Sequence, residues 1–332
     1  MAYQQSTEQR SGQRRRCAYC GYSIPEEPHR SEAGREFCSR SCLEAFDEEE
    51  SIPAEDAYER FETGVEPLDS LVPTGLPADA FLLLSGEEGT RRSELLTELV
   101  WRALERGEPA VVVAYVDPPT AVLERFFRQG WNVLPYLEDD RLRIVDCFTH
   151  RLEDRDEFVT TLNEWNRFLA DAGDDAVIDV ERPGDVRAVA NALQRGLDDL
   201  EMTETGLVVL DSLDELDALV QDQLVHNFVK DVRASVCKAR YVPIIAAATP
   251  ADDDGRLVGD EPVYDGVVDL RLTDRLVPES RLKQLGIRKL VGTAYDPQWT
   301  AYEHAPGRGL LSFDPTTEAG SVYEQNVESR TL

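Results

Sequence analysis

Short, wholly apolar runs alternate with amphipathic helical stretches from about Phe61 onward, and this alternation constrains the fold more than any other feature of the chain. Phe81 to Ser85, Ala110 to Val116, Leu142 to Asp146, Leu207 to Leu210 and Val242 to Ala247 read as buried strands. Between them, Ser93 to Arg106, Thr120 to Gln129, Asp185 to Leu200 and Gln221 to Ala239 carry apolar residues at helical spacing. Val186, Val189, Leu193 and Leu197 form one such stripe. Strands that are apolar on both faces and separated by helices imply an α/β fold, with a mostly parallel sheet covered by helices on both sides. Three further runs, Gly266 to Leu272, Leu285 to Thr293 and Gln298 to Glu303, read as antiparallel strands that close the domain. Residues 149–183 are less regular and read as an insertion. On a sheet of this kind ligands sit at the carboxyl ends of the strands.

Charge is the second constraint. Asp and Glu number 65 against 35 Lys and Arg, a formal charge of -30. Lysine occurs only at Lys230, Lys238, Lys283 and Lys289. Ordered apolar runs such as Phe81 to Leu84 and Val111 to Val113 favour a folded protein over a disordered acidic chain. The composition instead resembles that of halophilic proteins, in which salt screens self-repulsion. It argues against a broad non-specific nucleic-acid surface. No run approaches the ~20 apolar residues needed to cross a membrane, and the N-terminus lacks the apolar stretch of a signal peptide. The expectation is a cytoplasmic protein without membrane association.

The six cysteines then point to metal before disulfides. Cys17-x2-Cys20 is followed, seventeen residues on, by Cys38-x3-Cys42. Two close pairs at that separation can converge on a tetrahedral zinc ion, which supplies folding energy that a ~30-residue module cannot obtain from its own core. Gly21 suits the turn after the first pair, and Tyr22, Phe37 and Phe46 are candidates to pack round the site. His29 is an alternative ligand. Cys147 and Cys237 read as small core residues. The ending Phe37-Cys38-Ser39-Arg40-Ser41-Cys42 resembles the treble-clef-like fingers of the TRASH and MYM type. The resulting division is a polar N-terminus (1–14), a finger (15–46), an acidic linker (47–60), the α/β domain (61–314) and a polar tail (315–332).

After the first strand comes Gly86-Glu87-Glu88-Gly89-Thr90-Arg91-Arg92-Ser93 and then a helix. A phosphate-binding loop reads G-x-x-x-x-G-K-[ST]: backbone N–H groups cradle phosphates, the lysine reaches the outer oxygens and the hydroxyl holds magnesium. Gly86, Gly89 and Ser93 stand in register, Thr90 precedes the altered pair, Arg91 replaces the second motif glycine and Arg92 replaces the lysine. Glycine there lets the backbone approach the ligand, and arginine binds oxygens as a fork where lysine is a point charge. Glu87 and Glu88 add negative charge beside an anion site.

Several ordered landmarks surround that octet. They are Thr63-Gly64-Val65-Glu66-Pro67-Leu68-Asp69-Ser70-Leu71 with Gly75-Leu76-Pro77, Gln129-Gly130-Trp131, Leu142 to Asp146, Leu207 to Ser212, and Ile287 to Gly292. Together they resemble the KaiC-like members of the RecA superfamily. The resemblance implies a domain that binds ATP or ADP with magnesium. Asp211 matches the Walker B aspartate, which orders magnesium through water, and Ser93 matches the magnesium-binding hydroxyl. The paired catalytic glutamates of the family fall at Val116-Asp117, so one is lost and Asp117 is the shortened survivor. The trans-acting K-x-R pair falls at Lys289 and Val291, so its arginine is missing.

Phosphoryl transfer depends on positioning and charge stabilisation, so these losses compound. They point to a regulatory or signalling protein, with a pseudo-ATPase or nucleotide sensor and a finger that docks a protein partner. Two alternatives stay open: a weak ATPase of the clock-protein or recombinase kind in which Arg92 serves as the lysine, and a DNA-binding regulator. The latter would use Arg10, Arg14, Arg15, Arg16, Arg30, Arg35 and Arg40, which bias the N-terminal region positively. Self-association into rings is a further family expectation, weakened by the missing arginine. Asp252-Asp253-Asp254 lacks the other ligands of a calcium loop, and Asp214, Glu215 and Asp217 read as a solvated face.

Overall fold

The computed structural model describes residues 15–24, 27–46, 59–152, 155–250, 261–274 and 281–315. The expected N-terminal segment 1–14, linker residues 47–58, the run Asp252 to Asp254 and the tail from 316 lie outside them. The chain divides into two compact units, Met1–Glu59 and Arg60–Leu332.

The larger unit is built on a ten-stranded sheet. Its strands in chain order are β1 (Phe81–Gly86), β2 (Ala110–Ala114), β3 (Leu142–Asp146), β4 (Val177–Asp179), β5 (Leu207–Asp211), β6 (Ile244–Ala248), β7 (Gly266–Thr273), β8 (Leu282–Leu290), β9 (Thr300–Ala305) and β10 (Gly309–Ser312). Their spatial order is β10-β9-β8-β7-β1-β6-β5-β2-β3-β4. The stretch from β7 to β4 is parallel throughout, and β7 to β10 is antiparallel.

The period-two rule divides the strands cleanly between two cores. Leu82, Leu84, Val112 and Ala114 face one buried cluster, shared with Leu95, Leu96 and Leu99 of helix α1 (Arg92–Glu105) and with Val122 and Phe126 of α2 (Pro119–Arg128). Phe81, Leu83, Val111 and Val113 face the other, with Val189, Leu193 and Leu197 of α3 (Val186–Asp199) and Val225, Phe228 and Val229 of α4 (Asp222–Val232). Asp185 caps α3 by accepting from the Arg187 N–H at 3.0 Å, as its place before the apolar stripe predicts. Beyond α4 the helix continues through Arg233–Lys238 with π geometry.

Two expectations change, and one strand is added. Residues 149–183 contain two helices, Arg155–Thr161 and Glu164–Gly173, and the strand β4, which pairs in parallel with β3. They therefore extend the sheet of the 61–314 domain with regular elements. The eighth strand runs over Leu282–Leu290, earlier than its apolar pattern suggested, because Gly292 takes φ +76° and ends it. The four-residue β10 was too short to show any periodicity, and its place on the edge follows from pairing with β9. Among the described residues no helix is long and apolar enough to cross a membrane.

The lead-in segment folds round Asp69, whose carboxylate accepts from the Thr63 and Gly64 N–H groups at 2.9 and 2.8 Å. Gly75 takes φ +77°, and a Cβ there would lie 2.8 Å from the Phe61 carbonyl oxygen, so only glycine fits. In the smaller unit, Gly21 takes φ +74° and its N–H donates to the Cys17 carbonyl at 3.0 Å. A two-residue hairpin, His29–Arg30 with Glu36–Phe37, precedes the short helix Arg40–Ala45, capped by Ser39.

Candidate functional site

β1 opens at its carboxyl end into the loop that leads to α1. The Leu270 carbonyl accepts from the Glu87 N–H at 3.4 Å, and Thr90 is fully buried with its hydroxyl donating to the Glu87 carbonyl at 2.6 Å. Thr90 therefore braces the loop from within. The Tyr302 hydroxyl, from β9, donates to the Thr90 carbonyl from beneath. Arg91, at the motif's second glycine, has φ 65° and ψ 34°. The left-handed conformation that glycine would supply is thus kept, at a cost of ~1 kcal/mol for a residue with a Cβ. Its side chain is half exposed and pairs with Glu94 at 2.7 Å.

A cavity of about 710 Å³ lies over this turn, lined among others by Gly86, Gly89, Arg91, Arg92, Ser93 and Lys283. Arg92 folds along one wall. Its Nη1 donates to the Gly86 carbonyl at 3.3 Å and the Thr249 hydroxyl at 3.4 Å, and stands 3.7 Å from Asp214. The turn is open above its backbone, and neither arginine fills the cavity. Glu87, Glu88 and Glu94 share the rim.

Two residues here escaped the sequence reading. Asp214 is not part of a solvated acidic face. Its carboxylate accepts from the Thr249 N–H at 2.9 and 3.1 Å and from the Thr249 hydroxyl at 3.0 Å, and it holds the residue that follows β6 against Arg92. Lys283 lines the cavity from β8 and pairs with Glu303 at 2.7 Å. Lys289, the lysine singled out by motif, stands near the other end of β8, opposite Val267, and donates to the Tyr264 carbonyl at 2.8 Å. It does not line this cavity.

Asp211 and Asp117 meet at a third, unexpected residue. Arg125, on α2, is largely buried; its Nη1 reaches Asp211 Oδ2 at 2.6 Å and its Nη2 bonds Asp117. β2 lies beside β5, with Ala114 opposite Asp211, so the loop after β2 and the tip of β5 come together. Burial favours losing the Arg125 proton, but the two carboxylates outweigh it and push its pKa further up. The carboxylate of Asp211 is 5% exposed. Only the tertiary fold brings this cation to the two acids, since 86 residues separate Arg125 from Asp211.

In the smaller unit, Cys17, Cys20, Cys38 and Cys42 bring their sulfurs within 4.8 Å of one another. Cys20 and Cys42 lie 3.5 and 3.6 Å from Cys38. Four thiolates ~2.3 Å from a tetrahedral zinc stand roughly 3.8 Å apart, so the set fits that ion. Burial raises the Cys17 thiol, but the Cys20, Cys38 and Tyr19 backbone groups win and bring it down to about 6. Burial and the neighbouring sulfurs push Cys38 up to about 12. Four adjacent thiols cannot all ionise without a cation among them. His29 is not part of the cluster, and Tyr22 is exposed while Phe37 is buried against Phe46. Cys147 and Cys237 are fully buried in the larger unit.

A parallel sheet that turns through a glycine-bearing loop into α1, with an aspartate at the tip of β5 two strands away, defines a P-loop domain of the RecA type. The profile described as "ATPase: KaiC" matches residues 61–311. The chain belongs to the KaiC ATPase family. It is 31% identical to a UPF0273 protein of Pyrococcus furiosus over 80% of this chain and 98% of that one. It is 26% identical to a UPF0273 protein of Methanopyrus kandleri over 74% of this chain and 89% of that one. A KaiC-like protein of Pyrococcus horikoshii has a similar fold, with a TM-score of 0.58, 17% identity, and coverage of 77% of this chain and all of that one.

Proposed function

We propose that this protein is a regulatory nucleotide sensor: its RecA-type domain binds ATP or ADP at the loop after β1 without rapid turnover. One observation carries the proposal. Arg125 binds at once Asp117, the surviving acid at the family's catalytic position, and the buried Asp211. A carboxylate bound to a guanidinium is a poor proton acceptor and is held away from any attacking water. The phosphate loop meanwhile keeps its open shape, with Arg92 and the Ser93 position on its wall. Binding and chemistry are thus separable here, as phosphoryl transfer rests on positioning and charge stabilisation in the transition state.

The four-cysteine set supports a structural zinc in the finger, and the finger then serves as a rigid docking module for a protein partner. The test pairs calorimetry with a turnover assay on the full chain at high KCl. Binding of ATP with negligible phosphate release is expected. Hydrolysis at about 1 s⁻¹ or faster would overturn the sensor reading in favour of an ATPase that uses Arg92. Absence of binding to either nucleotide would leave a scaffold.

A further inference from the structure

We infer that the nucleotide bound in this cavity is recognised without a magnesium ion. The inference rests on the nucleotide reading above and concerns the countercharge. In the family pattern, a hydroxyl at Ser93 and a water ordered by Asp211 hold the metal. Here Asp211 holds the Arg125 guanidinium at 2.6 Å, and its carboxylate is 5% exposed. Asp117, the other acid near that position, bonds the same guanidinium. A magnesium ion that recruited the Asp211 oxygen bound to Arg125 would have to displace the guanidinium from it and leave this largely buried cation with Asp117 alone.

Among the described residues, the remaining carboxylates near the cavity do not take over the role. Asp214 already accepts from the Thr249 N–H with both oxygens and from the Thr249 and Ser212 hydroxyls. Glu94 pairs with Arg91 at 2.7 Å. Glu87 and Glu88 stand on the phosphate loop itself. They project from the segment whose backbone would face the ligand, and Asp211 does not line the cavity at all. Among the described residues the cations on the cavity wall are Arg91, Arg92 and Lys283. Lys283 is matched by Glu303 at 2.7 Å and Arg91 by Glu94. Arg92 has its nearest carboxylate 3.7 Å away and otherwise touches neutral oxygens. It is therefore the group with charge to give to a phosphate, and its fork can grip two oxygens at once. Arg125 stands in for the metal at the two acids, and Arg92 supplies the positive charge at the phosphates.

Linkage makes the idea measurable. A metal held jointly by nucleotide and protein must strengthen nucleotide binding, and the nucleotide must strengthen metal binding by the same factor. The experiment is calorimetric titration of the full chain with ATP, once in EDTA and once in excess magnesium, at matched ionic strength. Dissociation constants that agree within about threefold are expected. Binding tighter by about tenfold or more with magnesium would overturn the inference and leave the nucleotide reading standing. No binding under either condition would remove both. The wild-type comparison needs no variant. Arg125→Gln frees Asp211 and is expected to create a magnesium dependence of about tenfold, while Arg125→Lys, which keeps a cation beside the acids, stays indifferent. A folded Arg125→Gln protein that remains indifferent to magnesium would overturn the role given to Arg125.

Discussion

Glu98 lies in the middle of α1, and its carboxylate is almost wholly buried, 1% exposed. One oxygen accepts from the Leu310 N–H at 2.7 Å, which ties the helix after the phosphate loop to the edge strand β10. The other meets Arg102 at 3.2 Å. The acid leaves no room nearby: a Cβ on Gly309 would lie 1.9 Å from it. Burial, only partly offset by the Leu310 amide and the Arg102 guanidinium, pushes the carboxyl from 4.5 up to about 7. Between those values the folded chain holds a proton that the unfolded chain has released. Stability contributed by this group is therefore full below pH 4.5 and is lost as pH rises to about 7. At about 1.4 kcal/mol per pH unit the whole effect is ~3 kcal/mol.

Glu98→Gln removes the titration while its amide oxygen still accepts from Leu310. Arg102 loses one partner but keeps Glu105 and the Arg308 carbonyl, both at 2.8 Å. The lost charged hydrogen bond costs about 1.5–3 kcal/mol, which nearly cancels the gain at high pH. The informative quantity is therefore the slope. Urea unfolding from about pH 5 to about pH 8 should show wild type losing ~3 kcal/mol relative to the variant as pH rises. A difference between the two proteins that stays constant over that range would refute the reasoning.

Two other perturbations address the loop and the finger. Arg91→Gly removes the left-handed strain, worth ~1 kcal/mol, and the exposed pair with Glu94, worth ~0.5 kcal/mol, whereas Arg91→Ala loses the pair and keeps the strain. The glycine variant should be the more stable of the two by ~1 kcal/mol in urea unfolding, and equal stability would show that the turn relaxes. Cys38→Ser should abolish a stoichiometric zinc content measured by elemental analysis, because Cys38 lies 3.5 and 3.6 Å from Cys20 and Cys42 and its loss leaves three thiols. Unchanged zinc in that variant would show that the ion sits elsewhere.

What the sequence determined by itself is what short-range order can carry. The apolar strand runs, the helical stripes and the helix start at Asp185 each express a preference of a few neighbouring residues, and the parallel strands and the helices stand close to where they were expected. The paired cysteines belong here too, since a turn and a helix start aim each pair without outside help. The phosphate loop was legible only as a damaged motif. That Arg91 would keep the backbone of a glycine was not, because its left-handed turn is held by Tyr302 from a strand 212 residues away. The strand order decided the rest. It set β2 beside β5, which let Arg125 reach Asp211, and it set β6 between β1 and β5, which let Asp214 hold Thr249 beside Arg92. Charge pairing between distant elements acts through space over a few ångströms and carries no trace in sequence spacing, so only the folded chain could say that Asp211 and Asp214 were already spoken for.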